Sequence, residues 1–309
     1  MTSTAETVAV VLVTYNRADL LVRALDGLAA QTRPADAVFV VDNASTDHTR
    51  DVLAQRTDLP LRPLLLDDNT GGAGGFHTGL KAAHDAGFDR ILLMDDDVWP
   101  APDLLAVMAT HRGPCQVAVR EDLRGRLVEK AALRFDLANP LAVRPKTASV
   151  DSTYADRAAL PAELVVENVA FEGFMVRREV IDAVGLPDPS FFIFYDDVDF
   201  ALRARRAGFP IVALRDAVLV RQLDFDQQHA LDGWKGFYMY RNLFVVHFRY
   251  GENVLVRLKP WLLVLAVVLL SPLRGGRGEA RNVTRAIRSA RHMRSLDPAA
   301  RPAARRPRR

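Results

Sequence analysis

The sequence predicts an α/β fold in which a mostly parallel sheet is flanked by helices. Four short apolar runs recur in the first hundred residues, helical patterns separate them, and a distinctive polar segment follows each run. The runs do not alternate with polar residues, which suits strands buried on both faces of a parallel sheet. Strands that alternate with helices are typical of βαβ layer folds.

The first half of the chain divides into repeated strand–helix units. Residues 20–28 place apolar side chains at helical spacing and so form one apolar stripe. Helices are also predicted over 46–56 and 73–87. The predicted strands are 8–13, 38–41, 64–66 and 91–94.

The second half is less regular. Residues 115–120 and 126–135 favour strands, and the segment 139–163, rich in Pro and Ala, favours a loop. Order returns over 165–176. A further helix is predicted over 197–207, where apolar Phe200 lies among charged residues.

Composition is typical of a globular protein in a reducing compartment. The chain has 309 residues, enough for one large domain or two ordinary ones, and 49% of them are hydrophobic. Cys115 is the single cysteine, so no intrachain disulfide can form. The first apolar run is short and has no basic residues before it, so no signal peptide is expected.

Positive charge is concentrated in the C-terminal segment. The net charge is +3, but residues 273–309 carry twelve arginines and two acidic residues, hence +10, which leaves −7 for the first 272 residues. The apolar run 261–270 precedes this basic segment. A membrane-spanning helix needs about 20 apolar residues, so the run predicts an interfacial, re-entrant or core helix.

The basic segment itself predicts an amphipathic helix. A basic amphipathic helix beside an apolar one suits the surface of an anionic membrane. A nucleic-acid partner is not expected, because the chain has no RNA- or DNA-binding motif. The arginines of one face and the apolar residues of another are Arg281, Arg285 and Arg288, and Val283, Ile287 and Ala290.

We therefore expect a peripheral protein at the cytoplasmic face of the plasma membrane, with three regions. Residues 1–228 form the predicted α/β domain. Residues 229–297 form a C-terminal helical extension that associates with the membrane, and 298–309 form a disordered basic tail.

The polar segments after the strands indicate a ligand site. In open α/β sheets, ligands bind beyond the carboxyl ends of the strands. Because parallel strands end at the same edge, we expect these segments to lie together. They are 14–17, 42–47, 67–75 and 95–97.

Asp95 and Asp97 are candidate metal ligands. Carboxylates two residues apart after a strand can hold Mg²⁺ or Mn²⁺, which take phosphate oxygens as further ligands. The triplet also fits a solvated loop or a helix start, so both interpretations stay open here. An EF-hand loop is excluded, because Pro100 and Ala106 stand where glycine and glutamate are needed.

The glycine-rich segment 69–76 is typical of a turn whose backbone N–H groups approach an anion at a helix start. It fails the P-loop pattern because Leu80 stands in place of lysine. It fails the dinucleotide fingerprint because His77 stands in place of the third glycine.

A second acidic cluster, 196–199, begins the last predicted helix of the α/β domain. Acidic residues are favoured there by the helix dipole, which explains the cluster without any function. The functional alternative is a general base that deprotonates a sugar hydroxyl.

Five segments together resemble family 2 glycosyltransferases, which are inverting enzymes with a GT-A fold. The resemblance covers most of the chain, from Val8 to about Tyr250, and a sixth segment, 237–242, is similar to one in bacterial rhamnosyl- and galactofuranosyltransferases. The five segments are 13–17, 40–47, 69–76, 94–97 and 194–203.

The resemblance implies a nucleotide-sugar site at the sheet edge. Asp42 would hydrogen-bond the base, and the residues of 69–74 would approach the diphosphate. Arg221 stands near the place of a histidine ligand in the polymerising galactofuranosyltransferases and would bind the diphosphate as a fixed cation. The predicted donor-binding residues are Thr14, Asn16, Arg17, Asp42, Asn69, Gly71, Gly72, Gly74, Asp96 and Arg221.

The resemblance also implies the catalytic groups. Asp95 and Asp97 would bind Mn²⁺ or Mg²⁺, and His229 is the candidate third ligand. Asp197 would be the general base, and Asp196 would orient the base or the acceptor. In addition, we expect the segment 171–174 on the acceptor side and Trp99 packed against the sugar or acceptor.

The expected activity is metal-dependent transfer of galactofuranose from UDP-galactofuranose to a lipid-linked or cell-envelope glycan. The glycine-rich loop favours this donor, since rhamnosyltransferases of the family have a shorter version; dTDP-rhamnose is the alternative. An inactive GT-A domain that binds a glycan or nucleotide is a second class. A nucleotidyltransferase is disfavoured, because residues 8–20 lack its glycine-rich signature.

Overall fold

The computed structural model describes residues 6–142, 144–223, 231–271 and 277–293. His229 and the predicted tail 298–309 lie outside these ranges. The expected division at residue 228 falls between two of them and stays a proposal.

In the described part of the chain, one sheet has nine strands and a second sheet has two. The main order is β3-β2-β1-β4-β10-β6-β11-β5, and β9 pairs with the first half of β11. Strands β10, β5 and β9 are antiparallel to their neighbours. The strands are β1 (Val8–Thr14), β2 (Ala37–Asp42), β3 (Leu61–Leu65), β4 (Arg90–Asp95), β5 (Val98–Pro100), β6 (Cys115–Asp122), β7 (Ala132–Phe135), β8 (Lys146–Ser149), β9 (Glu163–Val166), β10 (Phe174–Arg177) and β11 (Ile211–Arg221).

Helices cover both faces of the main sheet. Within the described ranges they are α1 (Ala18–Ala29), α2 (Thr49–Gln55), α3 (Gly71–Asp85), α4 (Leu104–Thr110), α5 (Val150–Thr153), α6 (Arg178–Val184), α7 (Asp196–Arg206), α8 (Trp234–Tyr250), α9 (Val254–Leu270) and α10 (Gly278–His292).

The four predicted strands of the first hundred residues are confirmed as parallel neighbours. In β1, alternate side chains enter two different cores: Val11 packs with the α3 side of the sheet and Leu12 with the α1 side. Every residue of β1 is therefore buried, which explains the lack of polar alternation. The register aligns Thr14 with Asp42, and Val13 with Asp95, at one edge.

Helix α3 begins earlier than predicted, at Gly71, so that the glycine-rich turn is the first part of the helix. Small residues are needed because the helix lies against β1. A Cβ at Gly75 would overlap the side chain of Val13, and a Cβ at Gly79 would overlap that of Val11. The helix thereby brings its N-terminus to the carboxyl edge of the sheet.

The predicted loop over 139–163 is partly wrong. Strand β8 lies in this segment and pairs with β7, and the short helix α5 follows. Ser149 and Ser152 form a capping box at the start of α5, while Val150 is buried in the core. The high Pro and Ala content concealed this two-stranded sheet, which has only four residues on each strand.

The C-terminal helices share a core with the α/β domain. Phe244 of α8 and Ile287 of α10 are buried in one cluster with Ala73 of α3 and Phe191. The predicted faces of α10 are confirmed: Val283 and its apolar neighbours are buried, whereas the arginines at 281, 285 and 288 are exposed. None of the described helices is long and apolar enough to cross a membrane.

A buried ion network fastens α8 to α7. Arg249 donates one hydrogen bond to Asp199 (2.7 Å) and another to Asp188 (2.8 Å). Asp199 also accepts hydrogen bonds from Arg203 (3.0 Å) and from the Tyr250 hydroxyl (2.7 Å). Since charges removed from water must be paired, this network fixes the two helices relative to each other.

Candidate active site

A cavity of about 810 Å³ opens at the carboxyl edge of the main sheet. Most of the predicted site residues line it, and they come from the ends of β1 and β4 and from the first turns of α3 and α7. The parallel register brings these segments together, as expected. The predicted residues in its wall are Thr14, Arg17, Asn69, Gly71, Gly72, Asp95, Asp96, Asp97, Asp196 and Asp197.

At one end of the cavity, Asp96 holds the first polar segment in place. Its carboxylate accepts hydrogen bonds from Thr14 Oγ1 (2.8 Å) and from Arg17 Nη1 (3.0 Å). Burial raises the pKa of Asp96 to about 6, although Arg17 and Thr14 oppose the rise. Asp96 therefore organises the loop after β1, and the guanidinium of Arg17 faces the cavity.

Asp95 and Asp97 are crowded carboxylates with oxygen atoms left for a cation. Asp97 Oδ1 is buried and has no hydrogen-bond partner among the described residues. Burial, followed by the charges of Asp97 and Glu172, raises the pKa of Asp95 well above its ordinary value. Burial, followed by the charge of Glu172, also raises the pKa of Asp97. Buried, crowded carboxylate oxygens of this kind are the ligands that a hard divalent cation prefers.

The described residues do not supply a complete ligand set. They contain no group of three His, Cys, Asp or Glu side chains arranged to hold a metal ion. Two carboxylates suit Mg²⁺ or Mn²⁺ when phosphate oxygens and water complete the shell. His229 lies outside the described residues, so its predicted role as third ligand stays a prediction.

Glu172 forms the wall beside these carboxylates and belongs to a buried ion network. It accepts a short hydrogen bond from Arg120 and lies 3.5 Å from Arg221 Nη2. The guanidinium of Arg120 also makes a bidentate pair with Glu129, at 2.9 Å for both bonds. Arg120 thus places a fixed positive charge next to the acidic floor of the cavity.

The start of α3 is shaped by Asn43, the first residue after β2. Asn43 Oδ1 accepts the Thr70 N–H (2.8 Å), and Asn43 Nδ2 donates to the Gly71 carbonyl (2.8 Å). Gly71 has φ +72°, and a Cβ there would overlap the carbonyl oxygen of Phe192. Gly72 has open space beside it. The backbone at the helix start is therefore accessible from the cavity.

Another part of the wall carries Asp196 and Asp197, in the first turn of α7. Burial raises the pKa of Asp197 to about 6, and the positive charge of Lys146 partly opposes the rise. Burial, followed by the charge of Asp197, raises the pKa of Asp196 well above its ordinary value. Asp196 is almost fully buried, whereas Asp197 is partly exposed. Of the two, Asp197 is the better placed to exchange a proton with a bound molecule.

Four predicted donor-binding residues do not line the cavity, and the first two of them, Asp42 and Asn16, lie in the loops around it. Asp42 is fully buried, and its carboxylate accepts from the Ser45 N–H (2.9 Å) and from Arg50 Nε (2.9 Å). Asn16 accepts a hydrogen bond from the Thr46 N–H (2.7 Å). Both shape the loops around the cavity, and their contact with a nucleotide stays a prediction.

Two further predicted donor-binding residues lie behind the wall, and one expected acceptor contact is wrong. Gly74 packs against the Thr70 side chain, and Arg221 lies beside Glu172. The indole ring of Trp99 packs against Gly27 of α1, not against the cavity. Trp99 lies on the short strand β5, which packs beside α1, and this position keeps its side chain out of the cavity wall.

Several residues of the wall were not predicted as site residues. Arg120 is the first of three charged residues that end β6, so it had no signal that marked it apart from its neighbours. Asn43 lies in a recognised segment, next to Asp42. The lysines and the tryptophan come from segments with no pattern of their own. These residues are Asn43, Arg120, Lys130, Lys146, Trp234 and Lys235.

Comparison with known proteins decides the family. A family model described as "Glycosyl transferase family 2" matches residues 9–112. Galactofuranosyltransferase GlfT1 of Mycolicibacterium smegmatis is 32% identical over 255 residues, which cover 77% of this chain and 82% of that protein. The chain belongs to the family 2 glycosyltransferases. The expectation drawn from the sequence motifs is thereby confirmed.

Solved structures confirm the fold. A mannosyltransferase from Pyrobaculum calidifontis, in complex with GDP-Man and Mn²⁺, has a TM-score of 0.55 at 21% identity and covers 96% of this chain and 79% of its own. GalNAc-T7 with UDP, GalNAc and Mn²⁺ has a TM-score of 0.60 at 12% identity. The match covers 92% of this chain and 55% of GalNAc-T7. At these identities the likeness shows the GT-A fold alone.

The two neighbouring glycines at the start of α3 give a matched test of the site geometry. We expect Gly71→Ala to lower the free energy of unfolding by about 1–3 kcal/mol, because its positive φ and the Phe192 carbonyl exclude a side chain. Gly72→Ala should be neutral or up to ~1 kcal/mol more stable, because alanine favours helix and the space is open. Denaturant unfolding measures both, and equal losses would contradict the described turn.

Proposed function

We propose that this glycosyltransferase transfers galactofuranose from UDP-galactofuranose to a hydroxyl of a lipid-linked or cell-envelope glycan, in a metal-dependent inverting reaction. The observation that carries the proposal is that the carboxylate pair Asp95 and Asp97 and the raised-pKa carboxyl of Asp197 open onto one cavity. The choice of sugar is supported by the similarity to galactofuranosyltransferases over most of the chain.

The donor would lie along the carboxyl edge of the sheet. Arg17 offers a cation near Asp96, and the N–H groups at the start of α3 offer donors to an anion. Asp95 and Asp97 would hold Mn²⁺ or Mg²⁺, which neutralises charge on the leaving diphosphate when bound. Arg221, close behind Glu172, would add a fixed positive charge to this region.

Asp197 would act as the general base. It would take the proton of the acceptor hydroxyl while the hydroxyl oxygen attacks the anomeric carbon of the sugar. The bond from that carbon to the diphosphate breaks, and its electron pair leaves with UDP. Attack from the side opposite the leaving group inverts the configuration. A carboxyl with a pKa of about 6 is ionised at neutral pH and is a stronger base than an ordinary aspartate.

A donor screen tests the proposal as a whole. We expect UDP release from UDP-galactofuranose in the presence of Mn²⁺ or Mg²⁺ and a polyprenyl-diphosphate-linked glycan in detergent. EDTA should abolish the release, and Asp97→Asn should reduce it, whereas Asp103→Asn, outside the cavity, should not.

Each alternative has its own outcome in this screen. Release from dTDP-rhamnose alone would keep the mechanism and overturn the sugar. Nucleotide-sugar binding without any turnover would favour the glycan- or nucleotide-binding protein. UDP release that EDTA does not diminish would contradict the proposed metal dependence.

The base is tested by substitution and by pH. Asp197→Asn should leave the donor dissociation constant near that of the wild type and lower turnover by at least ~10²-fold, the low end for a general base. In the wild type, turnover should fall as the pH drops below about 6, because protonation of Asp197 removes the base. Asp51→Asn, an acidic residue in the first turn of α2, is the control. Near-full activity of Asp197→Asn would refute the assignment.

We also propose that α9 and α10 bind the surface of an anionic membrane. Helix α9 exposes a stripe of large apolar side chains, among them Leu255, Leu262 and Leu269 at 60–64% exposure. Helix α10 packs beside it and presents exposed arginines, and the guanidinium of Arg291 lies 5.7 Å from the ring centroid of Trp261. Apolar and basic surface side by side fits a lipid–water interface, where a lipid-linked acceptor would be found.

Vesicle binding tests this surface. The protein should sediment with vesicles that contain anionic phospholipid and should bind neutral vesicles less, since each basic residue contributes about 1 kcal/mol at an anionic surface. Leu262→Asp should weaken binding by about tenfold or more. Leu123→Asp is the matched control, because Leu123 is equally exposed (69%) but lies elsewhere. Equal losses in both variants would count against α9 as the binding face.

A further inference from the structure

The loop that leads into α7 has an uncommon backbone. Phe192, Phe194 and Tyr195 have φ values of +64°, +67° and +67°. Residues other than glycine rarely adopt this left-handed backbone region, and aromatic residues have no local interaction that favours it. Such conformations persist only where surrounding contacts impose them, and they are found preferentially at functional sites. Asp196 and Asp197 follow directly.

Asn242, on α8, imposes part of this conformation. It is fully buried, and its Nδ2 lies within hydrogen-bond distance of three carbonyl oxygens of the loop. The distances are 3.0 Å to Phe191, 2.8 Å to Ile193 and 2.9 Å to Phe194. One amide group thus gathers three carbonyls of the loop, and two of them, those of Ile193 and Phe194, would point to opposite sides in an extended chain.

Arg241, the preceding residue, holds the beginning of the loop. Its Nη2 donates to the carbonyl oxygens of Ser190 and Phe191, both at 2.8 Å. Its Nε donates to Asn242 Oδ1 (2.8 Å), which fixes the orientation of that amide. The guanidinium lies 4.7 Å from the ring centroid of Tyr238. Among the described residues, no carboxylate forms an ion pair with Arg241. Its buried guanidinium instead donates hydrogen bonds to the backbone carbonyls of the loop.

The same loop also contacts the donor side of the cavity. The Phe192 carbonyl accepts a hydrogen bond from the Ala73 N–H (3.1 Å), in the first turn of α3. Gly71 lies against the same carbonyl, with no room for a side chain. The loop therefore joins the start of α3 to the start of α7, and its shape sets the separation of the two helix starts.

We propose that Arg241 and Asn242 are positioning residues, which hold Asp197 at a fixed place relative to the donor-side turn of α3. Neither residue lines the cavity. They act through the loop carbonyls, and the proposal rests on the proposed role of Asp197 as the base. A merely structural role would cost stability without a specific effect on turnover.

Gln31 offers a matched control. It is a buried amide that also makes three hydrogen bonds to backbone: to the carbonyls of Gly27 (3.0 Å) and Ala101 (2.7 Å), and from the Leu105 N–H (3.0 Å). None of its partners lines the cavity. Gln31→Ala therefore removes a comparable set of contacts at a distance from Asp197.

The test compares Asn242→Ala with Gln31→Ala in the full chain, with UDP release from UDP-galactofuranose as the readout. We expect turnover of Asn242→Ala to fall by roughly 10²-fold, because a misplaced base loses its geometry. The pH at which its turnover is half-maximal should move away from the wild-type value. Its dissociation constant for UDP should change far less, since Thr14 and Arg17 remain in place. Gln31→Ala should keep both turnover and the pH midpoint.

A second variant covers the case in which Asn242→Ala does not fold. Arg241→Lys keeps the positive charge but loses the planar guanidinium group, which donates to both carbonyls and to Asn242. Turnover should therefore fall, and amide hydrogen exchange over 191–199 should become faster. Unchanged exchange together with unchanged turnover would overturn the proposal. So would equal losses of turnover in Asn242→Ala and Gln31→Ala.

Asp197→Asn in the same assay separates this proposal from the proposed function. If Asp197→Asn stays active, the base assignment is wrong. If Asp197→Asn is inactive and Asn242→Ala behaves like Gln31→Ala, the base stands and the positioning role is wrong.

Discussion

The crowding of carboxylates at the end of β4 is the constraint on which the rest of the site depends. Asp95, Asp96 and Asp97 cannot all be ionised in a buried place without cations nearby. Arg17 supplies one for Asp96, and Arg120 lies behind Glu172. Even with these cations, the pKa of all three aspartates is raised, chiefly by burial, so the fixed cations do not fully offset the cost of keeping the carboxylates ionised. The remaining demand for positive charge is what makes the proposed metal physically reasonable.

The acidic residues at the start of α7 show how one motif divides between stability and chemistry. Asp199 points into the protein, where Arg249, Arg203 and the Tyr250 hydroxyl satisfy it. Asp197, two residues earlier on the helix, lies on the cavity side, with an adjacent N–H as its described hydrogen-bond donor. A single turn of helix is enough to separate them, since successive side chains point in different directions.

Much of the fold and part of the site follow from the sequence. The apolar runs predict the four parallel strands, because a strand buried on both faces has apolar residues at every position. The shared edge of the sheet then brings together Thr14, Asp95 and the start of α3. Position within that edge does not follow. Asp42 is fully buried, and Arg50 and Ser45 engage its carboxylate, which the motif alone does not indicate; its contact with a nucleotide stays a prediction. Arg120 lies in the wall as the partner of Glu129 and Glu172, and nothing in the strand that carries Arg120 predicts these partners.

Helix α8 joins these parts, because three kinds of polar contact are distributed along its 17 residues. Lys235 at its start lines the cavity, Asn242 in its middle holds the loop before Asp197, and Arg249 near its end pairs with Asp199. Its other sides pack on α9 and α10, which carry the proposed membrane surface. The C-terminal helices are therefore packed into the same architecture as the cavity: α8 contacts α9 and α10, which carry the proposed membrane surface, and it also holds the loop that leads to Asp197, the proposed base.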